Sequence, residues 1–274
     1  MLNKMYIYKP DTREKIVITQ KNVGFSFLKH RLSSPNLVTE YIQFDNTDGA
    51  IDVPGVFRSK IISCDFVIKN KTYFEFFAKQ QDIIRLFFER NAYYISFEMM
   101  PGIWYLVKPL PFNLDRFGKH GIFTIDFDVF KGHGESLATT MSDFTFSENE
   151  WQLGQGIAME DYKYKFMTNN FIIYNAGDLE IDPRKNKLLV TLSGKSDGSI
   201  RISNITTGDT FIYKLPMTAT DTLTIDNAIP KMNGIPCGRN TNHGLISLAK
   251  GENEIEIKNM SYLSTSWDFS YLYM

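Results

Sequence analysis

The chain has 274 residues, of which 43% are apolar and 22% charged, and its net charge is −1. That length accommodates two ordinary domains, each able to bury a core of its own. A near-neutral total excludes a broad basic footprint for nucleic acid or an anionic membrane, although a local patch is still compatible with it.

Aromatic residues reach 14%, with 22 Phe and 14 Tyr, a bias that favours strands over helices. No apolar run approaches the ~20 residues of a membrane span. Residues Met1 to Pro10 contain no apolar stretch of signal-peptide length. The expectation is a protein made and folded in a cytoplasm, which does not leave by a Sec signal of its own. Cys64 and Cys237 lie far apart, so reduced, buried thiols are expected rather than a disulfide framework.

In chain order, Tyr6–Tyr8 and Lys15–Thr19 read as a short hairpin. Leu28 to Phe44 is mixed, with a loop at residues 33–36. Asp45-Asn46-Thr47-Asp48-Gly49 is a strong turn, and Pro54-Gly55 reads as another. Ile62, Cys64, Phe66 and Ile68 alternate as one face of a strand. Ala78 to Arg90 reads as a helix, with Ile83, Ile84, Phe87 and Phe88 as its core stripe. Tyr93–Met99 and Ile103–Val107 flank Met100-Pro101-Gly102, read as a tight hairpin turn.

Ile122 to Val129 is the pivotal stretch. Phe123, Ile125, Phe127 and Val129 alternate with Thr124, Asp126 and Asp128, which puts the carboxylates on the outer face of a strand. Lys131-Gly132-His133-Gly134 then reads as a hinge. These features predict a first domain over residues 1–136, a connector over 137–157 broken by Gly154-Gln155-Gly156, and a second domain over 158–274. The second domain reads as all β. Short strands are expected at Phe171–Tyr174, Lys187–Leu192, Ser199–Ser203, Thr210–Tyr213, Thr222–Ile225, Leu245–Leu248 and Glu254–Lys258. Asn233-Gly234 is a hairpin-type turn, and Trp267, Phe269 and Tyr271 alternate in the last strand. Turns every 8–12 residues or so imply an antiparallel sandwich.

No catalytic constellation emerges. His30, His120, His133 and His243 have no His or Cys at metal-ligand spacing. Asp126 and Asp128 share a strand face, but that face reads as solvated rather than as a hydrolytic pair. There is no Gly-x-Ser-x-Gly elbow and no phosphate loop. Trp104, Trp151 and Trp267 could stack on sugars, but Trp267 fits the core alternation and Trp151 sits in the connector. No catalytic, cofactor-binding or metal residue is assigned, and partner-binding residues are unassigned.

The second half nevertheless carries an ordered string. It runs from Asn175-Ala176-Gly177-Asp178 and Asp182-Pro183-Arg184, through Ile202–Gly208 and Asp221–Asp226, to Asn233-Gly234 and Leu248–Ile255. With Gly55-Val56-Phe57-Arg58 and Gly132–Ser136 in the first half, it resembles the distal tail proteins (Dit) of long, non-contractile phages of Gram-positive bacteria. The string around Asn175–Arg184 looks most like the staphylococcal branch. The resemblance implies a mainly β, two-domain chain: an N-terminal β-sandwich with one helix and an extended hairpin, the belt, then a galectin-like sandwich. It further implies a structural, non-enzymatic virion protein that needs no cofactor. Six copies would form a ring joining tail tube to tail tip, with DNA passing through the lumen. Tail tube protein, tail-associated protein and receptor-binding protein would be its partners, without any membrane. Two other readings differ in class: a carbohydrate-binding module for cell-wall glycans over residues 150–274, which needs an exposed aromatic platform, and a wall hydrolase.

Overall fold

The computed structural model describes residues 4–70, 72–142 and 162–274. Trp151 and Gly154-Gln155-Gly156 therefore lie outside the described residues. The chain is mainly β. It divides into two compact units, Met1–Gly134 and Glu135–Tyr273.

In the first unit, β1 (Met5–Lys9) pairs with β2 (Glu14–Ile18) as the expected opening hairpin. A one-turn helix, α1 (Gln20–Val23), follows, capped by the Thr19 hydroxyl. Next come β3 (Ser26–Leu32), β4 (Asn36–Ile42), β5 (Ile51–Arg58), β6 (Lys60–Lys69), α2 (Tyr73–Phe87), β7 (Tyr93–Phe97), β8 (Met100–Pro109), β9 (Asp115–Phe117) and β10 (His120–Val129). The main path of pairing runs β2-β1-β7-β8-β10-β6-β3, with β9 on β10. In β10, Phe123, Ile125, Phe127 and Val129 are buried, while Thr124 and Asp126 are exposed and Asp128 half-buried. The period of two thus sorts this strand as expected. Its partner β6 buries Ile62, Cys64, Phe66 and Ile68.

An aromatic core joins these strands to α2. The Phe66 and Phe123 rings stack at 5.0 Å, and Phe87 of α2 meets Phe127 at 5.8 Å. Both separations lie in the range where ring pairs add about 1 kcal/mol beyond area burial. The helix begins five residues earlier than expected. The Thr72 hydroxyl accepts the Glu75 N–H and so starts it. Only half of the expected stripe is interior: Ile83 and Phe87 are fully buried, whereas Ile84 and Phe88 stay about 40% exposed.

Two expected turns are strand instead. Phe97 pairs with Met100, so Glu98 and Met99 make the turn and Pro101-Gly102 belong to β8. Pro54-Gly55 lie inside β5, opposite the register shift between Val38 and Glu40 of β4. Proline lacks a donor, and a bulge on a two-stranded ribbon asks for none. Gly132 (φ 75) lies in the bend after β10, and a Cβ there would come 2.7 Å from the Arg58 carbonyl oxygen, so a close approach accounts for this glycine.

Lys60, at the start of β6, is 2% exposed. Its Nζ has no hydrogen-bond partner and lies 5.4 Å above the Tyr105 ring. Burial lowers its pKa from the usual 10.5, since a charge loses its hydration there. The cation–π contact offsets only part of that cost. Lys60→Met is therefore expected to stabilise the chain by about 1 kcal/mol at neutral pH. Because the folded pKa is depressed, the penalty is complete below it and fades as pH rises toward the unfolded value. The variant's advantage should thus narrow in thermal unfolding between pH 7 and 10, and a constant advantage would show that packing, not charge, is responsible.

The second unit is a two-sheet antiparallel sandwich. One sheet pairs Lys165–Phe166, Ser261–Phe269, Leu188–Lys195, Thr222–Asp226, Ile229–Met232 and Ile235–Pro236 in that order. The other pairs Asn170–Asn175, Gly251–Lys258, Ile200–Asn204 and Asp209–Tyr213. Trp267 and Phe171, one from each sheet, meet edge to face at 6.2 Å. Trp267, Phe269 and Tyr271 are fully buried, although the strand ends at Phe269. Asn233 (φ 50) and Gly234 (φ 82) form the expected hairpin turn between Met232 and Ile235. Residues 136–142 also pack within this unit. The Thr140 hydroxyl donates to the Trp267 carbonyl and accepts the Phe269 N–H, and the Ser136 hydroxyl accepts the Tyr271 N–H.

Leu245–Leu248 is not a strand. Only Leu248 bridges, to Ile181. This segment is held by side chains instead, with the Asp209 carboxylate accepting the Ser247 N–H at 2.8 Å and amides holding the rest. Asn204 Nδ2 donates to the Ser247 carbonyl at 2.7 Å and to Asn253 Oδ1 at 3.0 Å. The same Asn253 oxygen accepts the Ala249 N–H at 2.8 Å, and Asn253 Nδ2 donates to the Ala249 and Gly251 carbonyls. Side chains that satisfy backbone groups in this way compete directly with a sheet ladder.

Candidate assembly interface

The β4–β5 hairpin of the first unit exposes a continuous run of apolar side chains. Its register pairs Leu37 with Phe57, Val38 with Val56 and Ile42 with Ile51. Consecutive strand residues point to opposite faces, so Leu37–Phe57 marks one face and Val38–Val56 the other. Both faces of the ribbon are therefore apolar. Tyr41 is 66% exposed, Val56 63%, and Leu37 and Phe57 about half. Phe44 and Ile51 extend the apolar surface toward the tip, where Asn46 (φ 64) and Gly49 (φ 85) shape the loop. The hairpin pairs with no other strand of the described residues.

A two-stranded ribbon is marginal alone in water, and an apolar surface on both faces is rare on a chain that works as a monomer. Burying each such side chain contributes roughly 1.5–3 kcal/mol. The chemistry on offer is thus adhesion. The sequence held the signal: two strand-length runs, residues 36–42 and 51–58, flank the Asp45–Gly49 turn with apolar residues at both parities. Reading Pro54-Gly55 as a turn splits the second run and hides it.

The outer face around β10 is charged and closed on itself. Arg31 grips Asp65 with two bonds of 2.6 and 2.9 Å, and the Thr124 hydroxyl donates to Asp65 at 2.8 Å. The Arg31 contact holds the Asp65 carboxyl below its usual pKa range. Asp126 stands opposite Ser63 on the same sheet, and the structure does not bring it and Asp128 together with a third ligand.

The histidines are scattered. His30 stacks on Phe97 at 3.8 Å, and burial lowers its pKa. His120 lies on β10, His133 in the turn after it, and His243 at φ 58 in the second unit. Among the described residues no three His, Cys, Asp or Glu side chains could hold a metal. Cys64 and Cys237 are free and buried. Trp104 is buried and donates to the Pro101 carbonyl, so it offers no platform.

Residues 12–129 match the family model described as the phage tail protein RIFT-related domain. This stretch contains β2 through β10 and the whole exposed hairpin. The entire chain also shares a fold with the crystallised Dit (gp 19.1) protein of SPP1, described as a paradigm of the hub adsorption apparatus in phages infecting Gram-positive bacteria. The TM-score is 0.70 at 9% identity, over 99% of this chain and 100% of that one. A fainter likeness, with a TM-score of 0.43 at 11% identity, connects it to a chain of the phage P2 baseplate in its Ca-activated conformation, over 99% of this chain and 98% of that one. No curated protein matches the sequence.

Proposed function

We propose that this chain is a structural hub of a long, non-contractile phage tail. Six copies close into a ring that joins the tail tube to the tail tip, and the protein resides in the virion after assembly in the host cytoplasm. The observation that carries this reading is the hairpin that is apolar on both faces, set within a stretch that matches a phage tail domain. The SPP1 protein of the same fold is itself described as a paradigm of a hub adsorption apparatus.

Head-to-tail contacts close a ring when their rotation permits it. A ribbon projecting from one copy supplies one half of such a contact, and the surface of the next copy supplies the other. Residues 1–136 form the ring in this reading, 137–157 connect the two domains, and 158–274 form the second domain. The rims dock the tail-associated and receptor-binding proteins of a phage of the staphylococcal branch. DNA passes through the lumen without being held, in keeping with a net charge of −1. The work is mechanical, and the protein catalyses nothing.

Light scattering on the purified chain, across protein and salt concentrations, tests this reading. A mass near six times the 31.6 kDa subunit is expected at high concentration. A strict monomer at every concentration, together with isolated tails that lack a ring of this chain, would overturn it.

A further inference from the structure

The second unit contains an open cleft of about 700 Å³ at one end of its sandwich. Two neighbouring sheet-to-sheet crossings build it. Residues 196–199 carry the chain from Leu188–Lys195 to Ile200–Asn204, and Asn259-Met260 carry it from Gly251–Lys258 to Ser261–Phe269. The crossings are tied by a 2.8 Å bond from Asn259 Nδ2 to the Ser199 carbonyl. Lys214 closes the third side, with its carbonyl accepting the Ser199 N–H.

Three non-glycine residues of this cleft sit in the left-handed region: Ser199 at φ 55, Asn259 at φ 62 and Tyr262 at φ 53. Asn takes that conformation readily, whereas an aromatic residue there is an outlier. Such a residue is destabilising and persists only where its surroundings impose it. The neighbours pack closely around it. Gly194 (φ 146) lies beside a register shift, and a Cβ on it would sit 2.7 Å from the Ser261 carbonyl oxygen and 3.0 Å from that of Tyr262. The glycine lets the strained turn pack close.

The strained residue contributes nothing to the core, since Tyr262 is 88% exposed. For stability alone, Asn would serve better here. The ring is instead held out at the rim of a cleft whose walls are polar. Lys195 and Lys214 are exposed and have no ion-pair partner among the described residues, and Asp197 and Ser261 stand beside them. An amphipathic ring next to a carboxylate, a hydroxyl and two free ammonium groups suits a ligand with an apolar face, hydroxyls and an anionic group. The apolar face of a sugar ring covers the tyrosine, its hydroxyls bond Asp197 and Ser261, and an anionic substituent meets the lysines.

We propose that this cleft binds a saccharide bearing phosphate or carboxylate groups, with Tyr262 as the stacking platform and Lys195 and Lys214 as the anion site. The binding needs neither a ring nor a hub role for the chain, so it stands or falls separately from the assembly.

Titration calorimetry of the full chain with phosphorylated dextran, plain dextran and inorganic polyphosphate tests it. Phosphorylated dextran should bind saturably and most tightly, and its affinity should fall as salt rises. Tyr262→Asn removes the ring but suits the left-handed backbone, so the variant should fold at least as stably while its affinity drops about tenfold, the equivalent of about 1.4 kcal/mol. The Lys195→Ala, Lys214→Ala pair should flatten the salt dependence and bring phosphorylated dextran down to the level of plain dextran. Any one of three results overturns the proposal: no saturable binding of phosphorylated dextran, unchanged affinity in Tyr262→Asn, or polyphosphate binding as tightly as the sugar polymer.

Discussion

Replacing the apolar Leu37–Phe57 pair by two opposite charges, as Leu37→Glu with Phe57→Lys, should reduce the proposed ring to a 31.6 kDa subunit and leave the subunit folded. The two positions face each other across the ribbon, so opposite charges retain a favourable cross-strand pair where like charges would repel. Both side chains are about half exposed in the isolated chain, so the substitution removes little from the subunit's own core. In an assembled ring the same two side chains would be covered. Losing two buried apolar side chains costs roughly 3–6 kcal/mol per contact, and two charges in a dry interface add to that cost. About 5 kcal/mol per contact is more than a thousandfold in affinity. Val38→Glu with Val56→Lys makes the matching change on the opposite face. Sedimentation of both variants would show whether one face or both are covered. An unchanged ring mass in both would remove the hairpin from the joint, even with its thermal unfolding intact.

Where one periodicity ran uninterrupted, the fold was legible. The alternation of β10 and the aromatic ladder at Trp267 and Phe269 are buried as read, because a strand with one face in a core has little choice of register. Local signals misled where long-range context outweighed them. Pro101-Gly102 has turn chemistry, yet Phe97 pairs with Met100 and the proline is carried into β8. The start of α2 was readable: Thr72 and Glu75 have the spacing of a capping box, and the Thr72 hydroxyl does accept the Glu75 N–H. An aromatic-rich first turn hid it, with Phe74 83% exposed and Phe76 buried. The exposed apolar hairpin was half legible. Its strands and tip are in the sequence, but exposure of both faces is a property of what fails to cover them. Tyr262 was not legible at all. Its strain depends on Gly194, which is 68 residues away in sequence and meets it only across a bulged pairing.

The largest loss of stability is expected from Asn253→Ala. Asn253 is fully buried, and its amide does the work that a strand would otherwise do for the segment leading to Ala249. Its oxygen accepts the Ala249 N–H and Asn204 Nδ2, and its nitrogen donates to the Ala249 and Gly251 carbonyls. Alanine strips the buried Asn204 amide and the half-buried Ala249 and Gly251 backbone groups of this partner. A buried group stripped of its partner costs about 1–3 kcal/mol, and Asn204 retains its bond to the Ser247 carbonyl, so the sum should be about 3–5 kcal/mol. For a unit of this size that lowers the melting temperature by about 10 °C or more. Asn253→Asp separates the contributions. It keeps the acceptor for Ala249 and Asn204 but turns the donor side into oxygen facing two carbonyls, and it buries a charge. Burial raises a carboxyl's pKa. A group whose folded pKa lies above its unfolded value favours folding only while protonated. Asn253→Asp should therefore recover part of its loss as pH falls through its raised pKa toward the usual carboxylate range, whereas Asn253→Ala should show no such recovery. Calorimetry of both variants at pH 7 and near pH 4 reads the difference against the parent chain. If Asn253→Ala costs less than about 1 kcal/mol, the low end for a stripped buried group, the Leu245–Leu248 segment must be held by something other than this amide network.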